Sequence, residues 1–248
     1  MFTDEDRHGI LARIIGIGRA DARVTGAALI GSLARGAADS WSDIDITFGV
    51  TEGTGLADIL DDWMATLDAG CDVVDSFDLP AGPSIYRVML LRNGLELNIS
   101  VTPASEFRVR GTAVRMLFGE SQQMDDLAAP DPHFLAGLTW HNILHARVSI
   151  ARQQGLHAEY WLSAARDHTL ELACIRLGLP SVHGRGFSAL PPALVQRVEA
   201  GLTRSFDAAE LERALRIVTD CYLEELRLLD PARHERLKPM LAGTDRAG

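Results

Sequence analysis

The sequence contains little cysteine and almost no lysine. Its cysteines, Cys71, Cys174 and Cys221, lie far apart without any Cys-x-x-Cys spacing, which argues against both a disulfide framework and a cysteine-rich zinc cluster. Lys238 is the only lysine among 24 basic residues, and we attribute this bias to GC-rich codon usage rather than to function.

Long apolar stretches and a basic N-terminus are absent as well. No run approaches the roughly 18 apolar residues that a membrane helix needs, and residues 1–6 are acidic where a signal peptide would be basic. The sequence therefore predicts a soluble, cytoplasmic protein with no membrane partner. Its 248 residues suffice for two domains, each with its own core.

A basic surface stripe is also missing. The formal net charge is −10, and the imbalance is confined to residues 1–132, which hold 21 acidic and 10 basic residues against 13 and 14 in residues 133–248. Such an excess repels nucleic-acid phosphates, and neither part interleaves basic with aromatic residues. The charge pattern argues against a nucleic-acid partner and favours a cationic small molecule.

The apolar periodicity of residues 1–132 predicts an α+β domain whose mixed β-sheet is flanked by helices. Asn93-Gly94, between the last two predicted strands, is the dipeptide preferred in two-residue type I′ hairpin turns, so we expect a hairpin there. The predicted elements are a helix at 5–20, strands at 26–31 and 43–50, a helix at 55–69, and strands at 71–79, 85–92 and 95–101.

The Ala-Pro-Asp-Pro stretch at 129–132 predicts a domain boundary, because two closely spaced prolines discourage both helix and strand continuation. Beyond it the periodicity is helical, and residues 133–248 are predicted to form an all-α bundle. Its predicted helices cover 134–154, 158–177, 191–203, 207–229 and 232–241.

Two carboxylates lie two residues apart on the predicted strand 43–50. Side chains alternate along a strand, so Asp43 and Asp45 point to the same face. Their mutual repulsion is relieved by a hard divalent cation, for which Mg²⁺ is the natural candidate. Taken alone, an Asp-x-Asp pair more often lies on a solvated edge strand.

A glycine turn eleven residues upstream favours the metal site over that alternative. Gly31 and Ser32 end a predicted strand, where backbone N–H groups and the Ser32 hydroxyl can hold triphosphate oxygens, and Arg35 can add a cationic contact. A phosphate-holding turn beside two metal-binding acids supplies the positioning and charge neutralisation that nucleotidyl transfer needs.

This stretch resembles the signature of the DNA-polymerase-β-like nucleotidyltransferase superfamily, in the branch that contains bacterial antibiotic nucleotidyltransferases. The order of helix, strand, turn, acidic strand and later hairpin extends the resemblance over about the first hundred residues. The residues that carry it are Gly31-Ser32, Ala34-Arg35-Gly36, Asp39 and Ser42-Asp43-Ile44-Asp45-Ile46.

The resemblance implies attack on the α-phosphate of a nucleoside triphosphate, most often ATP, with pyrophosphate as the leaving group. One or two Mg²⁺ ions would be held by Asp43 and Asp45, which are the first two catalytic carboxylates. The resemblance also implies that the triphosphate is contacted by Gly31, Ser32, Arg35 and Ser42.

The family carries a third acid on a later strand, where it ligates metal or serves as general base. Many relatives have aspartate at the position of Asn98, which is not anionic. Glu96 shares a strand face with Asn98, and the streptomycin/spectinomycin adenylyltransferases are similar in having a glutamate in a Leu-Glu-hydrophobic context. We therefore predict Glu96 as the third catalytic and metal-binding carboxylate; the alternative is a solvated hairpin residue.

In two-domain relatives the acceptor lies between the catalytic and helical domains, which assigns acceptor binding to residues 133–248. Tyr160, Trp161 and Asp167 are the predicted acceptor contacts, since Tyr160 and Asp167 share a helix face. The alternative is that the aromatic rings pack in the bundle core and Asp167 forms an ordinary ion pair.

The resemblance implies a small-molecule acceptor, and an aminoglycoside- or lincosamide-type antibiotic is predicted first, which would make the protein a resistance enzyme. Two alternatives remain at this point: a protein hydroxyl as acceptor, as in toxin–antitoxin nucleotidyltransferases, and a nucleotide-binding regulator without catalysis. A homodimer formed through the helical part is implied by the resemblance alone.

Overall fold

The computed structural model describes residues 2–110, 114–124 and 130–241. The chain divides into two compact units, Met1–Leu127 and Ala128–Gly248. The first unit combines helices with a mixed sheet and the second is helical, which confirms the predicted α+β class. Ala129, at the start of the predicted boundary, lies outside the described residues. Within the described ranges, no helix is long and apolar enough to cross a membrane.

The first unit contains all the predicted helices and strands in the predicted order, and in addition a short helix after the first strand and three strands after the hairpin that were not predicted. Its main elements are α1 (Asp4–Ala20), β1 (Val24–Ile30), α2 (Gly31–Ala34), β2 (Ile44–Val50), α3 (Leu56–Cys71), β3 (Val73–Ala81), β4 (Ser84–Leu91), β5 (Glu96–Pro103), β6 (Arg108–Arg110), β7 (Val114–Gly119) and β8 (Gln122–Met124). Six strands form one sheet in the order β3-β4-β5-β2-β1-β7, and β6 pairs with β8 in a small parallel sheet. In the large sheet β2 and β5 run parallel, and the other neighbours run antiparallel.

The core of this unit lies between the sheet and the helices α1 and α3. On β2 the buried apolar side chains are Ile44, Ile46, Phe48 and Val50. Phe48 packs edge-on against Trp63 of α3, with ring centroids 5.0 Å apart. Because strand side chains alternate, Asp45 points to the opposite face of the sheet from this core.

The β4–β5 hairpin is present, but its turn is not the predicted type I′. Leu91 N donates to the carbonyl of Leu95 at 3.0 Å, and Gly94 N donates to the carbonyl of Leu91 at 2.9 Å, which closes a three-residue loop. Gly94 has φ +86°, whereas Asn93 is not among the described residues with positive φ. Type I′ needs positive φ at both central residues, so the loop is a type I turn followed by a glycine bulge.

Several predicted bounds also shift. Helix α3 continues to Cys71, which follows Leu67 by one helical turn and is buried on the same face. Asp72 then ends the helix in the left-handed conformation, with φ +52°, and the next strand begins at Val73 rather than at Cys71. Asp43 directly precedes β2, which begins at Ile44.

The second unit is the predicted helical bundle. Its helices are α4 (Pro132–Ala151), α5 (Gly155–Leu177), α6 (Pro192–Ala200), α7 (Ala208–Leu229) and α8 (Pro231–Leu241). Asp131 caps α4 by accepting a 2.9 Å hydrogen bond from the His133 N–H, and Pro132 occupies the first turn, where it costs no hydrogen bond. The buried Tyr222 hydroxyl donates to the Ala136 carbonyl at 2.9 Å and ties α7 to α4.

Candidate active site

The end of β1 brings backbone close to a carboxylate. Gly31 has φ +68°, a conformation that favours glycine, and a Cβ atom there would lie 2.8 Å from Asp45 Oδ2. Glycine is therefore needed at this position both for its backbone angle and for the close approach of Asp45. The short helix α2 starts here, and Arg35 N donates to the Gly31 carbonyl at 3.3 Å.

Two of the predicted nucleotide contacts lie next to this glycine. Ser32 is half-buried in α2, and Arg35 is exposed directly after it. Within the described part of the chain, neither the Ser32 hydroxyl nor the Arg35 guanidinium has a hydrogen bond or salt bridge. Both side chains are therefore available to a ligand beside Asp45.

The three predicted carboxylates lie together around one amide group. In the parallel register of β2 and β5, Asp45 pairs with Asn98. The Asn98 Nδ2 atom lies 3.1 Å from Asp45 Oδ1, 3.3 Å from Asp43 Oδ2 and 3.2 Å from Glu96 Oε1. Sequence reasoning aligned Asn98 with the third acid of many relatives and treated it as a polar neighbour of Glu96. The strand register places it at the centre of the carboxylates.

Negative charge is concentrated at this point of the sheet. Burial raises the pKa of the Asp43 carboxyl above its ordinary value, and the nearby charge of Glu96 raises it further. The Asn98 amide has two N–H hydrogens for three carboxylate acceptors, so it cannot donate a full hydrogen bond to each. The cluster would therefore be stabilised by a cation.

The donor chemistry of the cluster fits Mg²⁺, but its arrangement in this structure does not. Carboxylate and amide oxygens are the ligands that Mg²⁺ prefers, at about 2.0–2.1 Å. Among the described residues, however, no group of three or more His, Cys, Asp and Glu side chains is arranged to hold a metal ion. The carboxylates surround an amide nitrogen instead. A cation at this point would require the Asn98 amide to turn its oxygen inward and the carboxylates to move closer.

The turn before Asp43 is held by its own side chains. Ser42 Oγ donates to Asp39 Oδ1 at 2.9 Å and accepts from Asp39 N at 3.0 Å, and Trp41 N donates to the same carboxylate at 3.0 Å. These hydrogen bonds lower the pKa of Asp39. The Ser42 hydroxyl is thus engaged inside the turn, and its nucleotide contact stays a prediction.

A buried arginine, which sequence reasoning missed, reaches this turn. Arg7 of α1 donates to the backbone carbonyls of Asp39 and Ser42, the latter at 3.2 Å. Nothing in the sequence distinguishes Arg7 from Arg13 and Arg19 of the same helix, since its burial depends on the turn that packs against it.

The aromatic residues predicted to contact an acceptor have different surroundings on α5. Tyr160 is 65% exposed. Trp161 stacks on His145, with ring centroids 4.6 Å apart, and its Nε1 donates to His157 Nε2 at 2.9 Å. The Tyr160 and Trp161 rings lie at 80° to each other, so the two rings do not present one continuous surface on which an acceptor could stack.

An acidic pair lies further along α5. Asp167 is exposed and makes no salt bridge with any residue that the structure describes. Glu171 lies one turn later and is half-buried; burial raises its pKa, and the charge of Asp167 raises it further. The ordinary ion pair considered for Asp167 is thus not formed within the described residues.

No protein-family model matches the chain, and no curated protein matches it either. Among solved structures it is similar to an aminoglycoside 6-adenyltransferase from Bacillus subtilis, with 12% identity over 97% of this chain and 98% of that chain and a TM-score of 0.43. It is also similar to a nucleotidyltransferase-like protein from Exiguobacterium sibiricum 255-15, with 12% identity over 97% of this chain and 81% of that chain and a TM-score of 0.39. TM-scores below 0.5 are too low to establish a shared fold, so a functional assignment has to rest on the site itself.

Proposed function

We propose that this chain is a Mg²⁺-dependent nucleotidyltransferase that moves a nucleoside monophosphate onto a hydroxyl of a small molecule, with AMP from ATP as the first candidate. The observation that carries the proposal is the convergence of Asp43, Asp45 and Glu96 on Asn98 beside the Gly31 turn. A turn for phosphates and a cluster of acids for a divalent cation are the two requirements of this chemistry.

In this reaction the acceptor oxygen forms a bond to the α-phosphorus while the bond to pyrophosphate breaks. Asp43 and Asp45 would hold Mg²⁺, which when bound supplies charge neutralisation at the phosphates. Ser32 and Arg35, both without described partners, would contact the triphosphate, and Gly31 keeps the backbone close to Asp45. Ser42 would act through the turn that it stabilises.

Glu96 is proposed as the third carboxylate of the reaction. It lies at the exposed start of β5, and its Oε1 accepts from Asn98 Nδ2. From there it could either complete the metal shell or take the proton from the acceptor hydroxyl. Its exposure favours the second role, because a general base has to reach the substrate.

A cationic acceptor is proposed on the basis of the acidic pair on α5. Asp167 and the half-buried Glu171 lie one turn apart, and a positive group would relieve the cost of burying Glu171. The exposed ring of Tyr160, two turns before Asp167, could stack on a sugar or bind a cation through its face, with Trp161 behind it. An aminoglycoside carries both hydroxyl and ammonium groups, so we place it before a lincosamide.

A nucleotide-binding regulator without catalysis is the second candidate. Asn98 favours it, because an uncharged residue occupies the strand position directly opposite Asp45. Two carboxylates and an amide can still hold a nucleotide through Mg²⁺ without supplying the third acid for turnover. A homodimer stays an expectation from the resemblance, and a role in antibiotic resistance depends on the acceptor.

The deciding experiment incubates the purified chain and Mg²⁺ with α-³²P-labelled ATP or GTP and a panel of aminoglycosides and lincosamides. We expect label on a small molecule, and we expect Asp45→Asn to abolish it. Asp68→Asn is the matched control, because Asp68 is exposed on α3 and its carboxylate makes no hydrogen bond or salt bridge within the described residues. It should transfer label as the wild type does.

The other outcomes separate the alternatives. Label on protein would identify a protein-modifying enzyme, and nucleotide binding without any transfer would identify a regulator. A Mg²⁺–nucleotide complex should also raise the melting temperature, since a ligand that binds only the folded state stabilises it. An unchanged melting temperature with every nucleotide tested would rule out this active site.

A further inference from the structure

The Arg7 guanidinium is buried and bridges two carbonyls of a distant turn. Arg7 is 3% exposed although it lies near the N-terminus of α1. Its Nη1 donates to the carbonyls of Asp39 and Ser42, and its Nη2 donates to Asp4 Oδ1 at 2.7 Å. Those two carbonyls lie at the two ends of the 39–42 turn, so one side chain holds both ends.

The 39–42 turn leads directly into the carboxylate cluster. Ser42 N donates to the Asp39 carbonyl at 3.2 Å, and the next residue, Asp43, places its Oδ2 3.3 Å from Asn98 Nδ2. A shift of the Ser42 carbonyl would therefore move Asp43 relative to Asn98 and Asp45. The position of Asp43 depends on this turn because Asp43 itself precedes the first residue of β2.

Burying Arg7 at this position also costs folding stability. Its Nε is buried and has no hydrogen-bond partner within the described residues, and a buried unsatisfied donor costs about 1–3 kcal/mol. Proteins retain a costly feature such as this unpaired buried donor mainly at functional sites. Here the guanidinium supplies what an apolar residue could not: Nη1 donates to both carbonyls while Nη2 donates to Asp4.

We propose that Arg7 is a positioning residue of the active site: it fixes the 39–42 turn and thereby sets the place of the Asp43 carboxylate in the carboxylate cluster around Asn98. The inference rests on the proposed function for its consequence in catalysis. Arg7 donates to backbone carbonyls and not to the Asp43 carboxylate, so it acts through the geometry of the turn rather than through its charge.

The test compares Arg7→Lys with Asp4→Asn. Lysine keeps the positive charge but replaces the planar fork by a single ammonium on a flexible stem. Asp4→Asn weakens the ion pair of Arg7 and leaves the two carbonyl bonds, so it is the matched control. Three readouts are measured: hydrogen exchange of the amides in residues 39–44, Mn²⁺ affinity by electron paramagnetic resonance, and kcat and KM for the acceptor.

For Arg7→Lys we expect faster amide exchange confined to the turn, a loss of Mn²⁺ affinity of about tenfold to a hundredfold, and a comparable fall in kcat with little change in acceptor KM. Asp4→Asn should stay close to the wild type in all three. If Arg7→Lys does not fold, Arg7→Gln, which carries no charge to bury, replaces it with the same expectations.

The inference is overturned if the variants of Arg7 leave exchange in residues 39–44 and Mn²⁺ affinity unchanged, or if Asp4→Asn reproduces their losses. Failure of the proposed function gives a different pattern. A wild-type protein that binds no Mn²⁺ overturns the proposed function, and amide exchange, which needs no metal, then decides by itself whether Arg7 fixes the turn.

Discussion

Asn98 lies directly opposite Asp45 in the parallel pair of β2 and β5, and its side-chain nitrogen is 3.1 Å from Asp45 Oδ1. The same nitrogen is within 3.3 Å of Asp43 and Glu96. An amide N–H therefore occupies the point at which a cation would neutralise the three carboxylates. The Asn98 amide and a divalent cation therefore compete for the same three carboxylates.

Asn98→Asp should destabilise the metal-free protein and strengthen metal binding. The change replaces a hydrogen-bond donor by a fourth carboxylate, so repulsion within the cluster increases by about 1–3 kcal/mol. A divalent cation relieves that repulsion, so the rise in melting temperature on adding Mg²⁺ should be larger than in the wild type. Thermal unfolding with chelator and with Mg²⁺ measures both effects.

Asn93→Asp is the control for that substitution. Asn93 lies in the turn of the same hairpin, where its Oδ1 accepts from Leu95 N at 3.1 Å, a bond that an aspartate can also accept. Its response to Mg²⁺ should match the wild type. An equal response of both variants would mean that added negative charge, and not its place in the cluster, controls metal binding.

Gly31→Ala should abolish metal and nucleotide binding, whereas Gly36→Ala should not. Gly31 and Gly36 have φ +68° and +67°, so an alanine at either costs about 1–3 kcal/mol of backbone strain. An added Cβ at Gly31 meets Asp45 Oδ2 at 2.8 Å, while nothing lies within 4 Å of one at Gly36. Isothermal titration measures the binding of Mg²⁺ and nucleotide by both variants. A loss in Gly31→Ala alone identifies displacement of Asp45 as the cause, whereas an equal loss in both identifies backbone strain.

Asp43→Asn should stabilise the protein at neutral pH while weakening metal binding. The folded-state pKa of Asp43 is raised by burial and by Glu96, so ionised Asp43 lowers stability above that pKa. The cost shrinks as the pH falls below the raised pKa, because the native carboxyl becomes protonated, and it vanishes only below the ordinary pKa of the unfolded state, about 3.9. Urea unfolding from about pH 7 to about pH 4 should show an advantage of the variant that shrinks on acidification. An advantage that grows on acidification would contradict the assigned direction.

Glu96→Gln should lower the turnover of the proposed reaction by about 10²-fold or more while Mn²⁺ affinity changes little, if Glu96 is the general base. Steady-state kinetics and Mn²⁺ titration measure the two separately. Glu52→Gln is a suitable control, since Glu52 accepts from Ser105 N at 2.8 Å and makes no hydrogen bond or salt bridge to the cluster within the described residues. A parallel loss of Mn²⁺ affinity would assign Glu96 to the metal shell instead.

Local sequence patterns were sufficient for the order of the long helices and of the strands β1 to β5, but they did not predict β7, the edge strand that pairs with β1. The apolar spacing of α1 and the alternation of β2 follow from the repeats of a helix and of a strand, 3.6 and 2 residues, which depend on neighbours in sequence. The same alternation correctly placed Asp43 and Asp45 on one side. Asn93-Gly94 correctly located the hairpin, but not its turn type, since the side-chain bond of Asn93 to Leu95 N competes with the type I′ conformation.

The amino-acid sequence by itself determined which groups are available to this site: a glycine able to adopt positive φ, two acids at a spacing of two, and a glutamate and an asparagine on one later strand. Tertiary structure alone decided that Asn98 pairs with Asp45 and that Arg7 is buried under the 39–42 turn. Both depend on contacts between residues more than thirty positions apart, because strand register and helix docking follow from burial of the whole core and leave no local periodic signal.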